Sequence, residues 1–426
     1  GAVAGMSTIH VFTSAACNYL PKVRALVASI RRHQPSWRVH LALADEIPVG
    51  IDLASEDFDE IHPVADLGIP QERGWAFCHG IVELSTAIKP FLLRQLLERD
   101  DCRGVVYLDP DTVLFSPLVE VEEAIAAANI ALTPHLTVPE TGVEGVMDNE
   151  IAALKHGTYN LGFLAVAATD MGRAFAGWWA DRCYHFCRDE IPHGLFTDQR
   201  WIDLVPGFFP GTCILRSSRL NVASWNLSTR RLSGTVPGGI LVDGEPLGFY
   251  HLTGFDSGAH REMAWKHAAD QPTVRALIDW YAATIAGLGR DPLATVPWAF
   301  GHFADGTPVP TAARIVYRER VDLQRAFPDP FATDRGGFRR WWESQGRIEY
   351  PALFDDSRKT EGIRNLTDQL SPGFRAGQGS DSPAAGLRAA LNRAIVDRSF
   401  RGQVAGRAWE VLKTEGVAGF LRRLSQ

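Results

Sequence analysis

The sequence predicts an α/β fold built on a mostly parallel central sheet. Three observations carry this. Short apolar runs such as Thr8–Thr13 and Val39–Leu43 alternate with amphipathic runs long enough for helices. Strand, helix and strand at that spacing read as a right-handed βαβ unit, which makes the two strands parallel. Polar and chargeable residues recur where the strand-like runs end, the place at which open α/β sheets bind ligands.

Taken in order, Thr8–Thr13 is the first strand. A loop over 14–19 leads to a helix carrying Val23, Leu26, Val27 and Ile30 at helical spacing. Val39–Leu43 is the second strand, and 56–65 supplies another short one. A helix spans Glu83–Leu97 with Lys89-Pro90 inside it, and the strand Val105–Leu108 follows. A helix over Leu118–Ala128 and a strand over Ile130–Thr133 come next. Residues 134–149 are polar and bear Pro and Gly, so they read as a loop able to close over a ligand. Then come a strand over Tyr159–Val166, a long amphipathic helix over Met171–Arg188, a helical run over Thr197–Leu204 and a last strand over Gly248–Leu252.

Past 290 the character changes. Aromatics, proline and glycine thicken (Pro297-Trp298, Phe300, Phe303, Trp341-Trp342). The expected organisation is a principal domain over 1–289 and an aromatic, proline-rich appendage packed on it over 290–370. A Gly/Ser/Pro-rich linker over 371–385 leads to a basic helical tail over 386–426. The tail sets Arg388, Arg393, Arg398, Arg401, Arg407, Lys413, Arg422 and Arg423 against Asp397, Glu410 and Glu415. It predicts peripheral contact with an anionic membrane or a junction to a further domain.

A formal net charge of -7 argues against a nucleic-acid partner. Six scattered cysteines without framework spacing read as reduced thiols and predict a cytoplasmic protein. Cys183 and Cys187 flank His185 in apolar surroundings, which favours buried thiols over a zinc site. No apolar run is long enough to span a bilayer. The opening residues 1–5 before Met6 lack the charged and apolar parts of a signal peptide.

The chemistry concentrates in Val105-Val106-Tyr107-Leu108-Asp109-Pro110-Asp111. Pro110 biases Asp109 towards extended backbone, where residues two apart share a side. Two carboxylates there suit a hard divalent ion, Mg²⁺ or Mn²⁺, itself holding a diphosphate. Asp-Pro-Asp alone reads equally as a turn after a strand, and both readings stand at this point.

Five motifs in chain order extend the pattern: Asp109-Pro110-Asp111, Asn160-Leu161-Gly162, Asp198-Gln199, Trp225-Asn226 and His251-Leu252-Thr253-Gly254. Together they resemble the nucleotide-sugar glycosyltransferases of GT-A (Rossmann-like) fold, glycosyltransferase family 8 among them, of bacterial surface-polysaccharide type. The resemblance covers roughly residues 8–256. It implies metal ligation by Asp109, Asp111 and His251, with Asp109 also near the donor ribose. It implies nucleotide contacts from Thr13, Ser14 and a stacking Tyr19, and a phosphate or sugar contact from Lys89. Asn160 and Asp198 would meet sugar hydroxyls, Gln199 would lie near the anomeric carbon, and Gly162 and Gly254 would let the backbone approach the donor. The implied catalytic set is Asp198, Gln199, Asn160 and Lys89. Trp225 and Asn226 are either acceptor-side or structural.

The implied cofactors are Mn²⁺ or Mg²⁺ and a nucleotide sugar, UDP-linked foremost. The acceptor would be a glycan or a lipid-linked glycan, and transfer would retain the anomeric configuration. One departure stands out. The family often places a lysine after H-x-x-G to reach the diphosphate, whereas here Phe255-Asp256-Ser257 follows, and Lys266 is the nearest replacement. Two rivals remain. Asp109-Pro110-Asp111-Thr112-Val113 also resembles the opening motif of haloacid-dehalogenase-type phosphatases, with Asp198 and Asp203 as a later acidic pair. The other rival is a GT-A domain that binds sugars without turnover.

Overall fold

A computed structural model describes residues 7–50, 52–289, 292–334, 336–369 and 383–424. It forms two compact units, 1–69 with 83–298 and 70–82 with 299–426. The first unit therefore runs beyond the expected end at 289, and an early segment groups with the later residues.

In chain order the strands are β1 (Thr8–Ala15), β2 (Arg38–Leu43), β3 (Glu60–Pro63), β4 (Cys102–Leu108), β5 (Thr112–Leu114), β6 (Ile130–Pro134) and β7 (Tyr159–Ala167). There follow β8 (Arg188–Glu190), β9 (Leu195–Thr197), β10 (Thr212–Ile214), β11 (Leu232–Gly234), β12 (Ile240–Val242), β13 (Glu245–Pro246) and β14 (Phe249–His251). Seven of them make the central sheet, in the order β10-β6-β7-β4-β1-β2-β3. Only β7 runs antiparallel to its neighbours in it. The mostly parallel α/β sheet expected from the sequence is the one observed. Val105, Val106 and Val11 are wholly buried, as strands covered on both faces require.

β5 and β14 form a separate antiparallel pair in which His251 lies opposite Thr112. That pairing brings the last motif of the first unit to the end of β4. The helix Leu20–His33 carries Pro21 in its first turn and buries Val23, Leu26, Val27 and Ile30.

Several expected elements differ. The Glu83–Leu97 helix is two helices, Ile81–Ala87 and Lys89–Leu97, parted at Ile88. Pro90 lacks the N–H that an inner turn would need, but the first turn of a new helix does not use it. The expected 134–149 loop ends in a helical turn, Val143–Gly145, and a π turn, Val146–Glu150. It is also pinned: Glu140 accepts from Asn149 at 2.7 Å and Ser228 at 2.6 Å. In the Thr197–Leu204 run, Thr197 ends β9 and only Arg200–Leu204 is helical, as a 3₁₀ turn.

The second unit is more helical than an irregular appendage, with helices Thr311–Glu319, Val321–Ala326 and Lys359–Gln369. Its core is aromatic. The Phe77 ring lies 5.1 Å from Tyr317, 5.0 Å from Phe331 and 5.3 Å from Phe338. Phe77 thus explains why 70–82 belongs to this unit. Of the expected linker, 371–382 lies outside the described residues, and the helix Pro383–Val396 begins within the rest. The tail is helical as expected over Arg398–Leu424, interrupted at Gly416. Among the described residues no helix is long and apolar enough to cross a membrane.

Candidate functional site

The chain leaves β4 through Asp109-Pro110-Asp111-Thr112, a turn closed by the Thr112 N–H on the Asp109 carbonyl at 3.1 Å. The Thr112 hydroxyl reinforces it at 2.7 Å. Proline at the second position suits such a turn. The motif is therefore a turn and a carboxylate pair at once, not the plain extended stretch expected. Both carboxylates still converge. His251 Nε2 lies 3.1 Å from Asp111 Oδ1 and 3.5 Å from Asp109 Oδ2. The three side chains form a cluster whose ligand atoms lie within 4.8 Å of one another.

His251 is held from behind. Its Nδ1 lies 3.2 Å from Asn160 Oδ1 and 3.3 Å from Asn221 Oδ1. An Nδ1–H given to those oxygens turns Nε2 towards the carboxylates, the arrangement that orients an imidazole ligand. Burial opposes charge on this ring, but Asp111 and then Asp109 outweigh burial and raise its pKa. For Asp111 burial pushes upward, and His251 reverses it, so its carboxyl titrates below the ordinary range.

Gly162 explains the third residue of the Asn160-Leu161-Gly162 motif. A Cβ there would sit 2.3 Å from His251 Cε1 and 2.6 Å from Asn160 Oδ1. The close approach that the structure shows at Gly162 is between its backbone and the His251 ring. Asn160 is correspondingly committed. Its Oδ1 accepts from the Gly162 N–H and from Asn221 Nδ2, and its Nδ2 faces Gln199 Oε1 and His135 Nε2. Gln199 accepts from the Leu161 N–H at 2.9 Å and donates to the His156 carbonyl at 3.1 Å. Both amides serve the frame around His251.

Lys89 is fully buried with its ammonium 3.3 Å from Asp109 and 3.1 Å from Asp198. Burial lowers its pKa, and the two carboxylates more than restore it. Burial raises the Asp198 pKa, and Lys89 offsets this only in part. One cation between two acids leaves the second incompletely neutralised. The Tyr107 hydroxyl donates to Asp109 at 2.5 Å, and Lys89 lies 4.2 Å from that ring's centroid.

Beside this cluster a cavity of about 420 Å³ is lined by Asn18, Tyr19, Lys22, Phe255 and Asp256, among others. The Tyr19 hydroxyl donates to Asp256 at 3.0 Å. Lys22 is buried, pairs with Asp256, and holds its ammonium 4.1 Å from the Tyr19 ring centroid. Its charge also reaches Asp111. Ser14 donates to the Ser85 carbonyl at 2.6 Å, and the Thr13 hydroxyl is buried. Gly254 takes a positive φ of 72°, the reason for glycine in the turn after β14.

Other expected residues fall elsewhere. Lys266 is paired with Glu144 at 2.9 Å and Asp148 at 2.5 Å, so it serves the 134–149 segment. Trp225 sets its ring edge-on to His251 with centroids 5.3 Å apart. Asn226 is wholly buried and donates to the His135 and Asn221 carbonyls, a structural role. Asp203 accepts from the Thr158 N–H and pairs with Arg200, so it makes no acidic pair with Asp198. Cys183 and Cys187 are buried free thiols, as expected.

Sequence reasoning missed Asn221, Tyr107 and Lys22. Asn221 takes a positive φ of 54°, which asparagine tolerates better than most residues, but nothing local marks it.

No protein-family model matches the chain. Among curated proteins, the uncharacterized protein YfnD of Bacillus subtilis (strain 168) is 24% identical over 311 residues, 71% of this chain and 95% of that one. YfnF of the same organism is 24% identical over 205 residues, 48% of this chain and 67% of that one. Among solved structures, the galactosyltransferase LgtC in complex with donor and acceptor sugar analogs is similar with a TM-score of 0.42 and 16% identity, covering 67% of this chain and 98% of that one. Mouse xyloside xylosyltransferase 1 is similar with a TM-score of 0.33 and 13% identity, covering 58% and 97%.

Proposed function

We propose that this chain is a metal-dependent GT-A glycosyltransferase that moves a sugar from a nucleotide-sugar donor to a glycan or lipid-linked acceptor in surface-polysaccharide synthesis. One observation carries the reading: Asp109, Asp111 and His251 converge beyond β4, next to the Lys89–Asp198 pair. Two carboxylates and an oriented imidazole fit Mn²⁺ better than Mg²⁺, which prefers oxygen alone. A bound ion there supplies positive charge against a departing nucleoside diphosphate.

The chain's own residues do the rest. The cavity at Tyr19 takes the nucleoside, UDP-linked in our reading, with the aromatic ring against the base. To Lys22, which lines this cavity, pairs with Asp256 and reaches Asp111 with its charge, we assign the diphosphate contact that a lysine after Gly254 would make. Lys89 fixes Asp198 and so orients it towards sugar hydroxyls.

In this reading transfer retains the anomeric configuration. Inversion needs a general base behind the anomeric carbon. The expected neighbours there, Asn160 and Gln199, are amides without useful basicity, and Asp198 is bound to Lys89. The departing phosphate oxygen is then the remaining proton acceptor, on the face that the leaving group vacates. Proton NMR of the first product from an α-linked donor should show an α-anomeric coupling; a β coupling would refute retention.

The basic tail extends the proposal to peripheral membrane contact. Arg398, Arg407 and Lys413 are exposed on one helix with Trp409. Basic and aromatic side chains together favour an anionic interface. Glutamate at those three basic positions should abolish low-salt co-sedimentation with anionic liposomes; unchanged binding would remove the idea.

A further inference from the structure

A second cluster lies on one face of strands β1, β2 and β3. His10, His40 and His62 stand in a row across these parallel strands, with ring centroids 5.1 and 5.4 Å apart. His10 Nε2 is 3.3 Å from Asp101 Oδ1, His10 Nδ1 is 2.9 Å from His40 Nε2, and His40 Nδ1 is 3.2 Å from His62 Nε2. Glu60 Oε2 lies 3.7 Å from His62 Nε2.

We propose that His40, His62 and Glu60 form a second site for a borderline divalent ion of the zinc type, with three protein ligands and separate from the Asp109 centre. The three donor atoms lie within 4.8 Å of one another. A tetrahedral zinc with bonds of about 2.0–2.1 Å has ligand edges of about 3.3 Å. Two of the three ligand edges, 3.2 and 3.7 Å, bracket that value and the third lies within 4.8 Å, so an ion replaces the shared proton once the Glu60 side chain draws in towards His40.

The outer shell points the same way. His10 Nε2 faces Asp101 across 3.3 Å, which favours the proton on that nitrogen, and an N–H passed from His40 Nε2 to the free His10 Nδ1 leaves the His40 Nδ1 lone pair facing His62. Carboxylate–histidine relays of this kind orient metal-bound imidazoles. The His62 and Glu60 side chains are 16% and 33% exposed, which opens a path for the ion and leaves a fourth position to water. Arg99 opposes binding, since it donates to both Glu60 oxygens at 2.9 and 2.7 Å. A carboxylate oxygen accepts more than one partner, so Arg99 weakens the site without closing it. A bound ion would tie the short edge strand β3 to β2.

Zinc titration by calorimetry on the full chain carrying Asp109→Asn and Asp111→Asn tests this apart from the proposed donor site. One equivalent of Zn²⁺ should bind. His62→Ala and Glu60→Gln in that background should each weaken it at least about tenfold, with folding checked by circular dichroism. Co²⁺ in place of Zn²⁺ should give the visible absorption of a four-coordinate ion, lost in His62→Ala. Absence of binding, or binding equally tight in both variants, would overturn the proposal. A folded His62→Gln chain that keeps the cobalt spectrum would do so too.

Discussion

At Gly162 one methyl group decides whether His251 can keep its place. An added Cβ would meet the imidazole at 2.3–2.5 Å, inside contact distance, and nothing there is the free end of a flexible chain. Gly162→Ala should therefore displace His251, weaken Mn²⁺ binding about 10–100-fold and cost roughly 1–3 kcal/mol of stability. Calorimetric Mn²⁺ titration with a thermal melt checks both, and unchanged affinity would show that His251 does not ligate. The same residue measures how far sequence reaches. Asn160-Leu161-Gly162 is recognisable as a motif, and its glycine predicts a close approach. What is approached is the ring of a residue 89 positions later, brought there by tertiary contacts, the pairing of β14 with β5 and the hold of Asn160 and Asn221 on Nδ1. Lys22 was invisible for a related reason, because its partner Asp256 reaches it only through the tertiary fold.

Among elements, those ruled by local periodicity were legible: six of the seven sheet strands, the helix behind β1 and the helical tail, whereas the three-residue edge strand β10 (Thr212–Ile214) is too short to carry a period and was not read. The misses are where tertiary packing overrode periodicity. The run Glu83–Leu97 keeps its apolar spacing across Ile88 although the helix breaks there, just before Lys89-Pro90, and the π turn at Val146–Glu150 forms in a stretch whose polarity reads as loop. Residues 70–82 read as part of the first domain because nothing local announces that Phe77 fills another unit's aromatic core. In that unit Asp322 fastens the helix Pro383–Val396. It accepts from Asn392 at 2.7 Å and pairs with Arg320, while Asn392 accepts from Trp341 Nε1 at 2.9 Å. Burial pushes the Asp322 pKa up, and Arg320 outweighs burial and leaves it below the ordinary value of 3.8. A carboxyl lowered by folding stabilises fully above its unfolded pKa and loses that contribution as pH falls through the folded one. Asp322→Ala should thus cost roughly 2–3 kcal/mol near neutrality, below the usual range for a broken buried pair because Arg320 keeps Glu349. The difference from wild type should shrink below pH 3.8. Hydrogen exchange of the Pro383–Val396 amides reports it, and a pH-independent difference would contradict the ionic role.

For the molecule as a whole, a net charge of -7 makes a concentrated acidic centre costly unless a cation enters it. Asp109, Asp111 and Asp198 gather around one buried lysine and one histidine, and that imbalance is the core of the functional reading. The most direct measurement is thermal stability of the chain with UDP-, GDP-, CMP- and dTDP-sugars, with and without Mn²⁺, beside the variant Asp109→Asn/Asp111→Asn. Saturation at a hundred times Kd adds about 2.7 kcal/mol, and each kcal/mol moves a unit as large as the first by about 1–2 °C. Wild type should therefore rise by roughly 3–5 °C with Mn²⁺ and its nucleotide sugar together, UDP-linked by our reading, and the folded variant should not. An equal rise in the variant, or no rise with any Mn²⁺ and nucleotide-sugar pair, would contradict a donor site at Asp109 and Asp111.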